Sequence, residues 1–371
     1  MEKLLVIFGG LSPEHDVSCL SAASVIEHLD LNIFEVKCVG ITREGEWLLT
    51  EATGKEIKSG AWKKRADNIP VFLSTNRSRK GLYRWDEARN PIYVPDCLLP
   101  ILHGEYGEDG SIQGLFKYAD IPYIGPEIMS SAAAIDKAIT KRLVKGLGLM
   151  QADYLEFKYG ERHIEAQCKD IANYFEDRYP IFVKPANAGS SIGVSKVNGV
   201  SEIVTAVCEA YKHHDKLVVE EGISGREIEV AILDRGDGEL IASGIGEIIN
   251  DDKFYSFDEK YKDSIRTKVR IAEDLSDEQV HEIQEQAKTV FRALECKGLS
   301  RVDFFYTDEG EICFNEINTM PGFTEISMYP KLWEVSGISN KELLERIINY
   351  GYETYKGKSS RDAALRGTRK V

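Results

Sequence analysis

The chain has 371 residues, room for two or three domains at about 150 residues each. With 43% hydrophobic and 29% charged residues it is neither disordered nor collagen-like. A formal charge of −14 is the wrong sign for a chain whose main partner is nucleic acid or an anionic membrane, so neither is expected.

The opening run Lys3–Phe8 is apolar and ends at Gly9-Gly10, which reads as a buried strand entering a tight turn rather than as a secretory leader. Ser12 suits an N-cap with Pro13 at the first helical position, and a helix to about Leu29 follows. A second strand over 34–41 completes a βαβ unit, and 96–102 forms a further strand ending at His103-Gly104. This portion predicts an α/β layer on a parallel sheet. After Gly125-Pro126 the pattern predicts a helix from about Ser131 to Lys145, then strands at 181–185, 194–197 and 216–221. Strands dominate from there, at 227–234, 240–249, 300–306 and 311–318. One amphipathic helix interrupts them, with Ser276 and Gln279 as its capping box and Gly298 as its stop. The fold class is therefore α/β, turning α+β in the C-terminal half. The expected domains are 1–125, 126–220 and 221–354, and the basic segment 355–371 is expected to be a disordered tail. The seven cysteines are scattered without a CxxC pair, which points to reduced thiols and a cytoplasmic protein. No apolar run approaches the roughly 18 residues of a membrane span.

Several motifs can carry chemistry. Lys184 ends an apolar strand and is followed by Ala186-Asn187-Ala188-Gly189-Ser190-Ser191-Ile192-Gly193. Small residues let backbone N–H groups approach phosphate oxygens, and the lysine adds a point charge; the same residues also suit a plain hairpin turn. Residues 300–318 read as a β-hairpin. With Glu309-Gly310 as a two-residue loop, Asp303 lies opposite Glu316 and Arg301 opposite Asn318, all on one face. Phe305 and Phe314 would share that face nearer the turn. Two carboxylates a few ångströms apart repel by roughly 3–4 kcal/mol at an effective dielectric near 20. Such a pair needs a cation, either Mg²⁺ on oxygen ligands or Arg301 in a surface salt-bridge ladder. Pro321-Gly322 after the acidic strand presents N–H groups that can stabilise an oxyanion, or simply closes the sheet edge. The polar-aromatic stretch Asp251–Tyr261 suits a lid as well as a solvated loop. Glu14 and His103 taken alone are a helix-dipole partner and a strand-end histidine.

Together these segments resemble the D-alanine–D-alanine ligases of the ATP-grasp superfamily over essentially residues 1–350. The marks are Phe8-Gly9-Gly10-x-Ser12-x-Glu14, His103-Gly104-x-x-Gly107-Glu108-Asp109-Gly110, Lys184-Pro185 with Gly189-Ser190-Ser191-x-Gly193, Arg301-Val302-Asp303, and Asn315-Glu316-x-Asn318-Thr319-x-Pro321-Gly322-Phe323-Thr324. The resemblance implies a three-domain architecture with an N-terminal Rossmann-like sheet and ATP held between two antiparallel sheets. It implies ligation of two D-alanines through a D-alanyl phosphate, for peptidoglycan precursor synthesis, by a cytoplasmic homodimer. It assigns Asp303, Glu316 and Asn318 to two Mg²⁺ (or Mn²⁺) ions, and Lys137, Lys184 and Lys260 to ATP phosphates beside Ser191. Glu220, Glu221, Ile223 and Glu227 would hold adenine and ribose. Arg301 and the Gly322 N–H would face the oxyanion, while Glu14 and His103 would serve the first substrate. Glu14, Ser190 and Tyr261 would tie a lid at 250–262 to the other domains. Ser327 and Lys260 would hold the second substrate's carboxylate; Met328, which follows Ser327, is compatible with a small apolar pocket for a methyl group.

Tyr261 is the lid residue expected of D-alanine users. Ser256 and Phe257 depart from the commonest lid pattern, which leaves D-serine open as second substrate. D-lactate ligation or another ATP-grasp carboxylate–amine ligase are the remaining alternatives. A dinucleotide-binding reading of the opening unit fails for want of a third glycine.

Overall fold

The computed structural model describes residues 1–250 and 267–368. The first sheet contains β1 (Glu2–Gly9), β2 (Phe34–Ile41), β3 (Trp47–Thr50), β4 (Ile69–Leu73), β5 (Leu82–Arg84) and β6 (Cys97–Ile101), in the order β5-β4-β3-β2-β1-β6. Only β2, β1 and β6 run parallel; β3, β4 and β5 add in antiparallel fashion, so the sheet is mixed where the sequence predicted a parallel one. β1 is central and buried on both faces, which is why it reads as a continuous apolar run. Its even residues Leu4, Val6 and Phe8 join the core under α1 (His15–His28), and Leu5 and Ile7 join the opposite core. α2 (Gly54–Lys58) and α3 (Ser111–Ala119) complete this part.

The predicted helix over 131–145 is two helices, α4 (Ile128–Ile135) and α5 (Lys137–Gly146). Asp136 breaks them: its backbone is extended and its side chain caps α5 by accepting from the N–H groups of Ala138 and Ile139. The second sheet is antiparallel, in the order β7 (Tyr154–Lys158), β10 (Lys216–Glu221), β8 (Ile181–Pro185), β9 (Ser195–Val197). α6 (Ile164–Phe175) and α7 (Ile203–Ala210) cover one face; the other carries Lys184 and Glu220.

The third sheet is antiparallel, with β13 (Thr267–Ile271), β12 (Leu240–Asn250), β11 (Gly225–Asp234), β14 (Leu299–Thr307) and β15 (Ile312–Asn318) in that order. Ile228, Val230, Val302 and Phe304 pack on α8 (Asp277–Ala293), whose Ser276–Gln279 capping box is formed as predicted. The helix stops before Gly298, because Leu294 is its C-cap and Glu295 already takes a left-handed conformation (φ 51°). α9 (Met328–Val335) and α10 (Asn340–Thr368) return to the first sheet, burying Tyr329, Trp333, Leu344 and Ile348 with Leu4, Val6 and Phe8.

α10 runs on to Thr368, into the segment 355–371 that the sequence reading took for a disordered tail. Beyond Tyr355 the sequence holds no proline and carries six Lys and Arg, good helix formers that suit the C-terminal end of the dipole, with two glycines among them. Tyr355 itself is anchored, its hydroxyl donating to Asp120. All seven cysteines are free thiols, six of them buried. Among the described residues no helix is long and apolar enough to cross a membrane.

Candidate active site

Two clefts meet at Lys137, Ser190, Glu229, Arg301 and Glu316. The larger, of about 450 Å³, lies between the second and third sheets: Phe182, Lys184 and Glu220 form one wall, Glu227, Asp303 and Phe305 the other. The smaller, of about 330 Å³, is lined by Glu14, His103 and Glu108 on one side and by Asn318, Gly322 and Ser327 on the other.

The β14–β15 hairpin supplies the junction. Asp303 lies opposite Glu316 and Arg301 opposite Asn318, the predicted register. The route to it differs. The turn holds three residues, Asp308 to Gly310, with Thr307 N–H donating to the Glu311 carbonyl, and this shifts the pairing near the turn by one. A bulge at Asn315 shifts it back between Phe304 and Asp303. The two slips cancel at the acids but not before them, so Phe314 pairs with Phe304 in the core instead of sharing a face with Phe305.

Arg301 is buried and forks onto Asp303, with Nε 2.8 Å from Oδ1 and Nη2 2.7 Å from Oδ2. Glu229, opposite Asp303 on β11, lies 3.1 Å from the same guanidinium. Burial opposes the charge, yet Asp303 and Glu229 together hold Arg301 well above its ordinary pKa. The ladder anticipated as one alternative thus exists, but in the interior rather than on the surface. Lys137, the first residue of α5, brings its ammonium 3.5 Å from Glu316 and donates to the Ala188 carbonyl at 2.7 Å.

The loop after β8 is the second component. Ser190, Ser191 and Gly193 all have left-handed backbone (φ 51°, 60° and 70°), an unusual conformation for two consecutive serines. Ser190 donates to Glu14, which is buried at the N-terminus of α1. The carboxylate fits because Gly104 and Gly189 have no side chain: a Cβ on them would sit 2.2 and 2.9 Å from Glu14 Oε2. Ser12 is not the helix cap. The chain makes an extra turn, so Glu14 occupies the N-cap position of α1 without a side-chain cap hydrogen bond, while Ser12 donates to the His103 carbonyl and accepts from the Glu14 N–H.

His103 ties three segments together. Its Nδ1 donates to the Met320 carbonyl at 3.1 Å and its Nε2 accepts from Ser21, which also receives the Phe323 N–H. Burial lowers its pKa, so the neutral ring fits this pattern. The Gly322 turn is therefore pinned from below. Ser327 braces it by accepting from the Thr324 N–H at 3.0 Å, and a Cβ on Gly322 would come within 2.9 Å of the Ser327 hydroxyl.

Lys184, Ser191, Glu220, Glu221, Ile223 and Glu227 all line the larger cleft. Glu14, His103, Ser190, Arg301, Gly322 and Ser327 line the smaller one, with Asn318. Lys260 and Tyr261 lie outside the described residues, as does the lid segment from residue 251. Sequence reasoning assigned no role to Glu229 or Glu108. The alternation Glu227-Ile228-Glu229 already places Glu229 on the Glu227 face. Glu108 sits inside the motif that follows His103; it accepts from the Gly104 N–H, its Oε1 is buried without a hydrogen-bond partner, and burial beside Glu14 holds its pKa well above the usual carboxylate range.

Two antiparallel sheets closed over a cleft of lysines and acids, with a second cleft opening at an Arg–Asp fork, have the architecture of an ATP-grasp ligase. Residues 3–126 match the family described as D-ala D-ala ligase N-terminus, and residues 143–349 match D-ala D-ala ligase C-terminus. The D-alanine–D-alanine ligase of Acetivibrio thermocellus is 42% identical, over 95% of this chain and 96% of its own. The crystal structure of VanG D-Ala:D-Ser ligase from Enterococcus faecalis superposes with a TM-score of 0.83 at 38% identity, covering 94% of this chain and 99% of that one. The D-alanine-D-alanine ligase from Coxiella burnetii gives 0.86 at 30% identity, covering 100% and 99%. The chain belongs to the D-alanine–D-alanine ligase family.

Proposed function

We propose that the chain joins two D-alanines into D-alanyl-D-alanine with consumption of ATP, for peptidoglycan precursor synthesis. A carboxylate is a poor electrophile with a poor leaving group. Transfer of the γ-phosphoryl group of ATP to the first D-alanine's carboxylate makes an acyl phosphate and ADP. The second D-alanine's amine then attacks the acyl carbon, and the tetrahedral intermediate expels phosphate. The observation that carries this reading is the Arg301–Asp303–Glu316–Asn318 face where the two clefts join.

In this reading Lys137, Lys184 and Lys260 contact the phosphates beside Ser191, and Glu220, Glu221, Ile223 and Glu227 hold adenine and ribose. Glu14, steadied by Ser190 and Tyr261, pairs with the first substrate's ammonium near His103. Arg301 and the Gly322 N–H face the developing oxyanion, where pre-aimed donors act most strongly. Ser327 and Lys260 hold the second carboxylate.

Asp303, Glu316 and Asn318 form an all-oxygen set on adjacent strands, which suits Mg²⁺ or Mn²⁺. Among the described residues no three acids, histidines or cysteines already converge as a metal cage; Arg301 and Lys137 lie against the acids, and phosphate oxygens would complete the ligand set. When bound, two such ions would neutralise triphosphate charge. The reading also takes residues 1–125, 126–220 and 221–354 as three domains, with a lid at 250–262, in a cytoplasmic homodimer.

Phosphate release that depends on D-alanine and is absent with L-alanine is the expected result; equal rates with both enantiomers would overturn the reading. Likeness to a D-Ala:D-Ser ligase keeps D-serine as the second reading.

A further inference from the structure

Lys141 lies behind the nucleotide wall and lines neither cleft. It sits one helical turn after Lys137 on α5, so both point from the same face. Its side chain is 2% exposed, and its Nζ, without a hydrogen-bond partner, lies 3.6 Å from Glu220 Oε1. The ring of Tyr154 also lies beside the ammonium, its centroid 5.4 Å away. Tyr154 is the direct cross-strand partner of Glu220. Glu220, 5% exposed, gives its Oε2 to Lys184 at 2.8 Å. Lys184 is its diagonal neighbour on β8, 16% exposed and open to the larger cleft. One buried carboxylate therefore stands between two lysines, one facing the cleft and one facing the core. Burial works against the charge on Glu220, yet Lys141 and then Lys184 hold its carboxyl below the usual range. Burial also pulls Lys141 below an ordinary lysine, with the like charge of Lys184 acting in the same direction.

We infer that Lys141 is a positioning residue for nucleotide binding: it is the counter-ion that stays with Glu220 when Lys184 turns to the phosphates. The inference rests on the proposed role of Lys184 at the phosphates. A lysine bound to a buried carboxylate is released for another anion only if that carboxylate keeps a countercharge, since an unpaired buried charge is costly. Lys141 is close enough to supply the charge and too deep to touch the nucleotide. Its missing hydrogen bond leaves a donor for Glu220 once Lys184 departs. With both lysines in place, Glu220 stays ionised and oriented as an acceptor in either arrangement.

Steady-state kinetics of the full chain test this. Lys141→Met is expected to raise KM for ATP on the order of tenfold or more while leaving KM for D-alanine within about twofold, because Lys184 is then locked onto Glu220. Lys141→Arg is expected to restore most of the loss. In a Glu220→Gln background the Lys141→Met change is expected to have no further effect, since the charge it balances is gone. A KM for ATP unchanged in K141M, or a penalty that persists on top of E220Q, overturns the inference. Should K141M not fold, the K141M/E220Q double variant, which keeps neither charge, carries the test against E220Q alone. Lys184→Met separates the two levels. A raised KM for ATP in K184M beside a normal K141M sinks the counter-ion role alone, whereas a normal K184M sinks the phosphate reading and the inference together.

Discussion

Arg301 holds two buried carboxylates, Glu229 and Asp303, with one guanidinium. Replacing it with methionine fills similar space but removes the guanidinium that both acids share. R301M is expected to lose about 3–5 kcal/mol of stability in urea denaturation, as well as all turnover; a loss below about 1 kcal/mol would contradict the account. Arg301→Lys keeps the charge but not the planar fork, so it is expected to fold better than R301M and still turn over poorly. Glu108 makes an opposite prediction. Burial, with Glu14 nearby, raises its pKa, so the folded protein retains a proton that the unfolded chain gives up more easily. Stability from this site is therefore present at acid pH and is lost as pH rises through the ordinary carboxylate value toward the folded one. Glu108→Gln has no such proton to lose. Its melting temperature is expected to exceed the parent's by a margin that widens as pH rises above the ordinary carboxylate value of 4.5; a constant margin would show that ionisation of Glu108 is not the cause.

At the scale of elements, the hairpin shows how much was legible. Alternation over Arg301–Tyr306 and Glu311–Asn318 identifies two strands, and pairing the acids follows from a single assumption about the turn. That assumption is wrong by one residue, and the Asn315 bulge corrects it before the acids are reached. Local sequence did not announce the bulge, because Asn315 is neither glycine nor flanked by a breaker; with it, Phe314 packs edge-on against Phe304. The α4–α5 break was hidden for a similar reason: Asp136 reads as one polar residue in an amphipathic run until its cap hydrogen bonds are seen. The α8 capping box, by contrast, was legible because both partners are local. α8 packs on Ile228, Val230 and Val302, while Glu227 and Asp303 line the cleft. Ser276→Ala is accordingly expected to cost about 1 kcal/mol in thermal or urea unfolding with kcat unchanged. A fall in kcat beyond about twofold would mean that helix and cleft are coupled.

For the whole molecule, the three sheets follow one another along the chain, the first ending with β6 at Ile101, the second with β10 at Glu221 and the third opening with β11 at Gly225, while α9 and α10 return to the core of the first. The antiparallel half of the first sheet was not legible: β3, β4 and β5 are three to five residues long, and the connections between them carry no period. Substrate choice is a different matter, since global likeness does not decide it. The chain superposes about as well on a D-Ala:D-Ser ligase as on a D-alanine-D-alanine ligase (TM-scores 0.83 and 0.86). The two second substrates differ by one hydroxyl, far too little to alter a backbone. In the proposed reading the second substrate meets the wall of the smaller cleft, where Met328 is buried beside Ser327 and a Cβ on Gly246 would come within 2.6 Å of its sulfur. A packed thioether offers a methyl group dispersion contacts and gives a hydroxyl only a weak acceptor. Such a wall disfavours D-serine without building a strong barrier, since an apolar pocket rejects an added hydroxyl by only about 10²-fold. With D-alanine and D-serine at equal concentration, mass spectrometry of the dipeptide is expected to show D-alanyl-D-alanine in excess by about tenfold to a hundredfold. Met328→Gln, which puts a hydrogen-bonding amide where the thioether stood, is expected to narrow that ratio; a parent enzyme that makes mostly D-alanyl-D-serine would remove Met328 as the discriminating wall.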